Sequence, residues 1–209
     1  MTANRKIRAV LFDFGGVLAE EGFRKGLYQI ASLNAIDPDA FFTAAQGLIF
    51  TSGYLTGRCS EASYWDQLRA STGIKGRNDE LKDIILERFM LREWMLDLVR
   101  KLKLASVRTA ILSDQTNWLD ELDERLHFFS LFERVFNSFH QGKSKNDPSL
   151  FDDVLSLMNL EPGETLFIDA TLGHVERARS RGLHAIHFTS REQFLGEMKG
   201  FFPELNFHK

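Results

Sequence analysis

Five short runs of strand-forming apolar residues recur along the chain, at 8–12 (RAVLF), 107–112 (VRTAIL), 134–137 (RVFN), 165–168 (TLFI) and 184–188 (HAIHF). Helix-period segments separate the later runs, at 117–127, 148–158 and 174–181, with apolar residues three and four apart. Strands that alternate with helices can return in the same direction, and strands apolar along their whole length must be covered on both faces. The pattern predicts an α/β fold with a doubly wound parallel sheet. Asp147 followed by Pro148 reads as an N-cap and first helical residue.

The first and second runs are separated differently. Between residues 20 and 104 the patterning is helical throughout, in pieces at 21–33, 38–50, 61–71, 79–91 and 94–103, with Ser60 and Asn78 as expected N-caps. An all-helical insertion over 20–92 is therefore expected, splitting an α/β core made of 1–19 and 93–209.

Composition narrows the function classes. The 26 basic and 29 acidic residues leave a net charge of -3, which gives no long-range attraction to nucleic acid or to an anionic membrane. The single cysteine, Cys59, has no partner for an internal disulfide, and Asp13 cuts the first apolar run too early for a secretory signal. No run reaches the ~18 apolar residues of a membrane span. A soluble cytoplasmic protein acting on a small molecule is expected, with the oligomeric state left open.

In open α/β sheets, ligands gather at the carboxyl ends of the strands, where loop amides and helix N-termini converge. The polar residues at those ends are Asp13, Ser113 with Asp114, Lys145 and Asp169. Three acids, a hydroxyl and an ammonium suit a phosphoryl group and a divalent metal. A carboxylate can attack phosphorus, oxygen ligands can hold Mg²⁺, and lysine and hydroxyl can hold the remaining oxygens.

These residues lie in segments that resemble the four motifs of the haloacid dehalogenase superfamily, in their order: DFGGV from Asp13, ILSD ending at Asp114, GKSKNDPSLF containing Lys145, and LFIDA containing Asp169. The resemblance runs from about residue 8 to 188 and matches the branch whose helical cap follows the first motif. It implies a Rossmann-like core with an inserted cap and a Mg²⁺-dependent phosphatase acting on a small phosphomonoester. Asp13 would be the nucleophile, Ser113 a phosphoryl hydrogen-bond donor and Lys145 the charge partner. Asp13, the Gly15 carbonyl and Asp169 would hold the metal. Gly15, Gly16 and Asp114 would line the phosphoryl site, and caps of the family supply specificity residues, for which Arg24 is the first candidate with Phe23, Tyr54 and Trp65; for any one of these four, helix-packing aromatics and a surface arginine are the favoured alternative.

The chain departs from the family pattern at two places. Where phosphatases of the family carry a second aspartate, Gly15 stands, and it has no proton to give; a positioned acid/base contributes ~10²–10⁴ in rate. In the fourth motif Ala170 and His174 replace further acids, which predicts weaker Mg²⁺ binding. His174 reads equally as a proton carrier or a helix cap, and Asp114 equally as a substrate contact or a cap. Two other readings follow: a phosphoryl-binding regulatory protein with impaired turnover, and a metal-independent 2-haloacid dehalogenase. His184 and His187 fall on opposite faces of a strand and are not joint ligands. The aromatic residues at 128–139 read as core, and Cys59 as a structural thiol.

Overall fold

A computed structural model describes residues 6–207. Its centre is a parallel sheet of five strands, β1 (Ala9–Phe12), β2 (Arg108–Ser113), β3 (Arg134–Asn137), β4 (Thr165–Asp169) and β5 (His184–His187), in the order β3-β2-β1-β4-β5. The chain builds outward from β1 through β2 to β3, then crosses back to β4 on the other side. The topological switch point thus lies between β1 and β4, where the register sets Phe12 opposite both Ile111 and Ile168. Asp13 and Asp169 consequently sit level at the ends of adjacent strands, with Ser113 one residue further along β2.

Side-chain alternation divides the core. Val10, Phe12, Ile111, Leu166 and Ile168 join one buried cluster; Ala9, Leu11, Ala110, Leu112 and Phe167 join the other. The first is covered by α5 (Glu93–Leu104), α6 (Trp118–Leu126) and α10 (Arg191–Phe201), the second by α8 (Ser149–Met158) and α9 (Leu172–Ser180). A one-turn helix, α7 (Ser138–Gln141), follows β3.

Between β1 and α5 lie α1 (Phe23–Leu33), α2 (Pro38–Thr51), α3 (Glu61–Thr72) and α4 (Asn78–Leu86). Their apolar faces are continuous with the first core cluster. Gly26 lets α1 approach α4, since a Cβ there would lie 2.5 Å from Ile85 Cα. The inserted helices are tied to α6 by aromatic and polar contacts. Trp118 stacks on Trp65 at 5.8 Å, Tyr54 Oη donates to Asn117 Oδ1 at 2.6 Å, and Lys82 Nζ lies 2.9 Å from Glu121 and 3.5 Å from Glu61.

Several local expectations need correction. Asn78 is not the N-cap of α4: its Oδ1 accepts from Arg69 at 2.6 Å, and Arg77 occupies the cap position while Glu80 accepts from the Arg77 amide. Pro148, not Asp147, holds the cap position of α8, with Asp147 Oδ1 accepting from the Ser149 amide at 2.9 Å. The helix expected to reach residue 91 stops at Leu86, because Leu91 bridges Ala19 and the Arg92 amide bonds to Leu18 O, drawing the chain back to the sheet. Ser60 does cap α3, accepting from the Ser63 amide at 3.2 Å. No helix among the described residues is long and apolar enough to cross a membrane.

Candidate active site

Asp13 follows β1 directly, with its amide bonded to Ile168 O on the neighbouring strand at 2.9 Å, so the backbone is fixed before the side chain is considered. Its Oδ1 accepts from Ser113 Oγ at 2.8 Å and lies 2.8 Å from Lys145 Nζ. The same ammonium lies 2.6 Å from Asp169 Oδ2. Lys145 is only 1% exposed and Asp169 is fully buried, so this lysine spends its charge between two carboxylates rather than on water.

Asp169 is held on both oxygens. Oδ1 accepts from the Thr171 amide at 2.7 Å, and Oδ2 faces Lys145 and His174 Nδ1, the latter at 3.1 Å. His174 is inside α9 and not at its cap; Thr171 occupies that place. Asp114 does not cap α6 either. Its Oδ1 accepts from the Lys145 amide at 2.9 Å, which fixes the lysine loop, while Oδ2 is buried with no hydrogen-bond partner and lies 3.9 Å from His174 Nε2.

The electrostatics follow from this packing. Burial and the nearby Asp169 charge push the Asp13 carboxyl up to about 6, against the opposing pull of Lys145 and Ser113. Burial would also raise Asp169, but Lys145 and His174 outweigh it and hold that carboxyl well below the usual range. Burial opposes the charge on Lys145, yet Asp13, Asp169 and Asp114 hold it firmly protonated.

The Gly15 and Gly16 loop is clamped from a direction that local sequence does not reveal. Arg92 Nη1 donates to Gly16 O at 2.5 Å and its Nε to Glu20 at 3.0 Å. Gly16 has φ +84°, a left-handed conformation that suits glycine. Gly15 leaves room for a Cβ in ordinary van der Waals contact, 3.4 Å from Phe89 and 3.5 Å from Gln115.

Asp13, Gly15, Asp114, Lys145 and His174 line one cleft of about 320 Å³, together with Phe23 and Arg24 from the inserted helices. The Arg24 guanidinium sits 4.1 Å from the centre of the Phe42 ring. Tyr54 and Trp65 do not line this cleft; both are fully buried against Trp118. Phe42 and Phe89, which sequence reasoning did not single out, do line it.

Mg²⁺ takes hard oxygen ligands and is often held by one or two carboxylates, with water and substrate phosphate completing its shell. Among the described residues no three His, Cys, Asp or Glu side chains form a metal-holding group by themselves, so a Mg²⁺ here would be bound in that open manner. The residues fit it. Two carboxylates, those of Asp13 and Asp169, contact one ammonium, and the neighbouring Asp114 Oδ2 is buried with no hydrogen-bond partner, an excess of negative charge that a divalent cation would offset.

A family model of the haloacid dehalogenase-like hydrolases matches residues 7–179. A sesquiterpene phosphatase of Aspergillus oryzae is 28% identical over 96 residues, 46% of this chain and 49% of its own length. The chain spans between 14% and 49% of the length of the curated relatives it matches. A HAD family enzyme of Bacteroides thetaiotaomicron superposes with TM-score 0.77 at 21% identity, covering 93% of this chain and 99% of that one. Its structure with magnesium and inorganic phosphate superposes at 0.72, with 20% identity over 88% of this chain and 96% of that one. An L-2-haloacid dehalogenase of Xanthobacter autotrophicus, with chloropropionic acid covalently bound, superposes at 0.65, with 17% identity over 93% and 83% of the two chains. With that match covering β1 to β4 and the helices inserted after β1, this chain belongs to the haloacid dehalogenase-like hydrolases.

Proposed function

We propose that this chain is a Mg²⁺-dependent phosphatase of a small phosphomonoester, with the helices of 20–92 forming a cap over the core of 1–19 and 93–209. The observation that carries the reading is the Ser113 and Lys145 pair converging on one oxygen of Asp13. Both donors orient the carboxylate and leave its other oxygen as the attacking atom. That oxygen bonds to phosphorus as the ester P–O bond breaks, the departing ester oxygen takes a proton from solvent water because Gly15 offers none, and an aspartyl-phosphate results. Water then attacks phosphorus, releasing phosphate and restoring Asp13.

Asp13, the Gly15 carbonyl and Asp169 would hold Mg²⁺, which supplies charge neutralisation at the phosphoryl oxygens. Without such neutralisation a phosphate dianion would meet three carboxylates and one ammonium, an unfavourable approach. The magnesium and phosphate in the Bacteroides structure and the phosphatase from Aspergillus support this reading. Gly15 contributes no acid or base, which slows both departure of the leaving group and hydrolysis of the aspartyl-phosphate. That same residue favours a second reading, a phosphoryl-binding regulatory protein with little turnover.

The test is phosphate release from a panel of phosphomonoesters with and without Mg²⁺. Mg²⁺-dependent release abolished by Asp13→Asn supports the phosphatase. Tight binding of beryllofluoride with Mg²⁺ but no turnover supports the regulatory reading. Metal-independent chloride release from a 2-haloacid would overturn both.

A further inference from the structure

The cleft above Asp13 has two chemically different ends. Its floor holds Asp13, Asp114, Lys145 and His174, but the wall contributed by the inserted helices and α6 is apolar: Phe23, Phe42, Ile49, Phe89 and Trp118. The polar groups on that wall are largely committed. Both Glu21 carboxylate oxygens accept from the Arg24 amide, at 3.0 and 3.2 Å, and the Arg24 guanidinium lies against the Phe42 ring. Thr116 Oγ1 accepts from the Trp118 amide at 3.3 Å. Of the side chains lining the cleft away from the carboxylates, Gln46 and Gln115 have amides that bond to nothing among the described residues.

We propose that the organic part of the substrate is an apolar chain or ring, so that the cleft takes an alkyl, aryl or prenyl type of monophosphate in preference to a sugar phosphate or nucleotide. The inference rests on the phosphatase reading for its chemistry but on the cleft wall for its substrate class. A polyol placed against aromatic and aliphatic carbon would leave most of its hydroxyls unpaired, with only the Gln46 and Gln115 amides, the Arg24 guanidinium and the Thr171 hydroxyl at the edges of the wall to receive them, and each unpaired hydroxyl is penalised. A hydrocarbon placed there instead removes its own surface and that of the five side chains from water.

The test compares kcat/KM for ethyl, butyl, hexyl and octyl phosphate with that for a hexose phosphate and a nucleoside monophosphate, alongside binding of the matching alkylphosphonates measured by calorimetry. A rise of about fourfold per methylene, continuing until the cleft is filled, is expected in both series. Phe42→Gln and Ile49→Gln, two variants on separate turns of α2, should each flatten that slope, and circular dichroism shows which of them is folded and can be scored. Chain-length independence of both turnover and binding, or a higher kcat/KM for the hexose phosphate than for octyl phosphate, overturns the inference and leaves the phosphatase reading standing. If no ester is hydrolysed while phosphonate affinity still climbs with chain length, the apolar site stands and the phosphatase reading falls.

Discussion

Lys145 Nζ lies 2.8 Å from Asp13 Oδ1, in a contact from which water is almost entirely excluded. Because it also spans to Asp169, one ammonium neutralises the two strand-end acids on either side of the switch point. Removing it leaves buried carboxylates facing each other. Lys145→Ala should cost about 3–5 kcal/mol of stability, read from urea unfolding, and the double variant with Asp169→Asn should recover part of that loss. Simple additivity of the two substitutions would contradict the bridging role.

Gly15 can accept a side chain. It lies outside the left-handed backbone region, and its nearest neighbours to an added Cβ are the edge of Phe89 at 3.4 Å and the Gln115 amide at 3.5 Å. Gly15→Asp should therefore fold and restore an acid/base, raising steady-state turnover by roughly 10²–10⁴. In the unaltered chain, rapid mixing with p-nitrophenyl phosphate, whose leaving group needs no proton, should show one equivalent of nitrophenolate released quickly and phosphate released slowly. A Gly15→Asp variant that folds and leaves the phosphate rate unchanged would contradict this.

The Asp13 carboxyl, raised to about 6, would give the proposed Mg²⁺ site a pH dependence. Its folded value lies above the unfolded one, so the folded state holds the extra proton between the two values, and stability from this group falls as pH rises through about 6. A Mg²⁺ held by Asp13 would compete with that proton and stabilise the ionised form. The Tm increase produced by Mg²⁺ should be larger at pH 7.5 than at pH 5, and Asp13→Asn should remove the difference. Equal increases at both pH values would count against Asp13 as a ligand.

Trp118 is 1% exposed, stacks on Trp65 between the inserted helices and the core, and has a buried Nε1 without a hydrogen-bond partner. Trp118→Ala should cost about 3–5 kcal/mol through the cavity it opens. Trp118→Phe keeps most of the packing and removes the unsatisfied donor, so it should be much milder in the same denaturation experiment.

The strand-end residues were legible because a buried parallel strand is nearly all apolar, so a polar residue at its end stands out in the sequence. Asp13, Ser113 and Asp169 are such residues, whereas Lys145 lies in the loop after α7 and was legible only through its spacing from Asp147 and Pro148 in the third motif. The cleft wall was not legible, because a helix carries apolar residues on faces that only packing distinguishes. Tyr54 and Trp65 turn into the aromatic core, whereas Phe42 and Phe89 turn toward the cleft. Phe89 does so because α4 ends early and the chain bridges back to Ala19. Arg92 depends on the same return, reaching Gly16 across 76 positions of sequence. Helix α10 escaped a pattern reading because Gly196 and Gly200 interrupt it, and its burial rests on Phe194, Leu195 and Met198.

The central claim is that Asp13 carries the phosphoryl group, and peptide mass analysis of protein quenched in acid during turnover tests it directly. With Mg²⁺ and substrate, the account predicts one phosphoryl group on the peptide containing Asp13, absent from Asp13→Asn. An unmodified Asp13 peptide during phosphate release, or the group on any other residue, would contradict it.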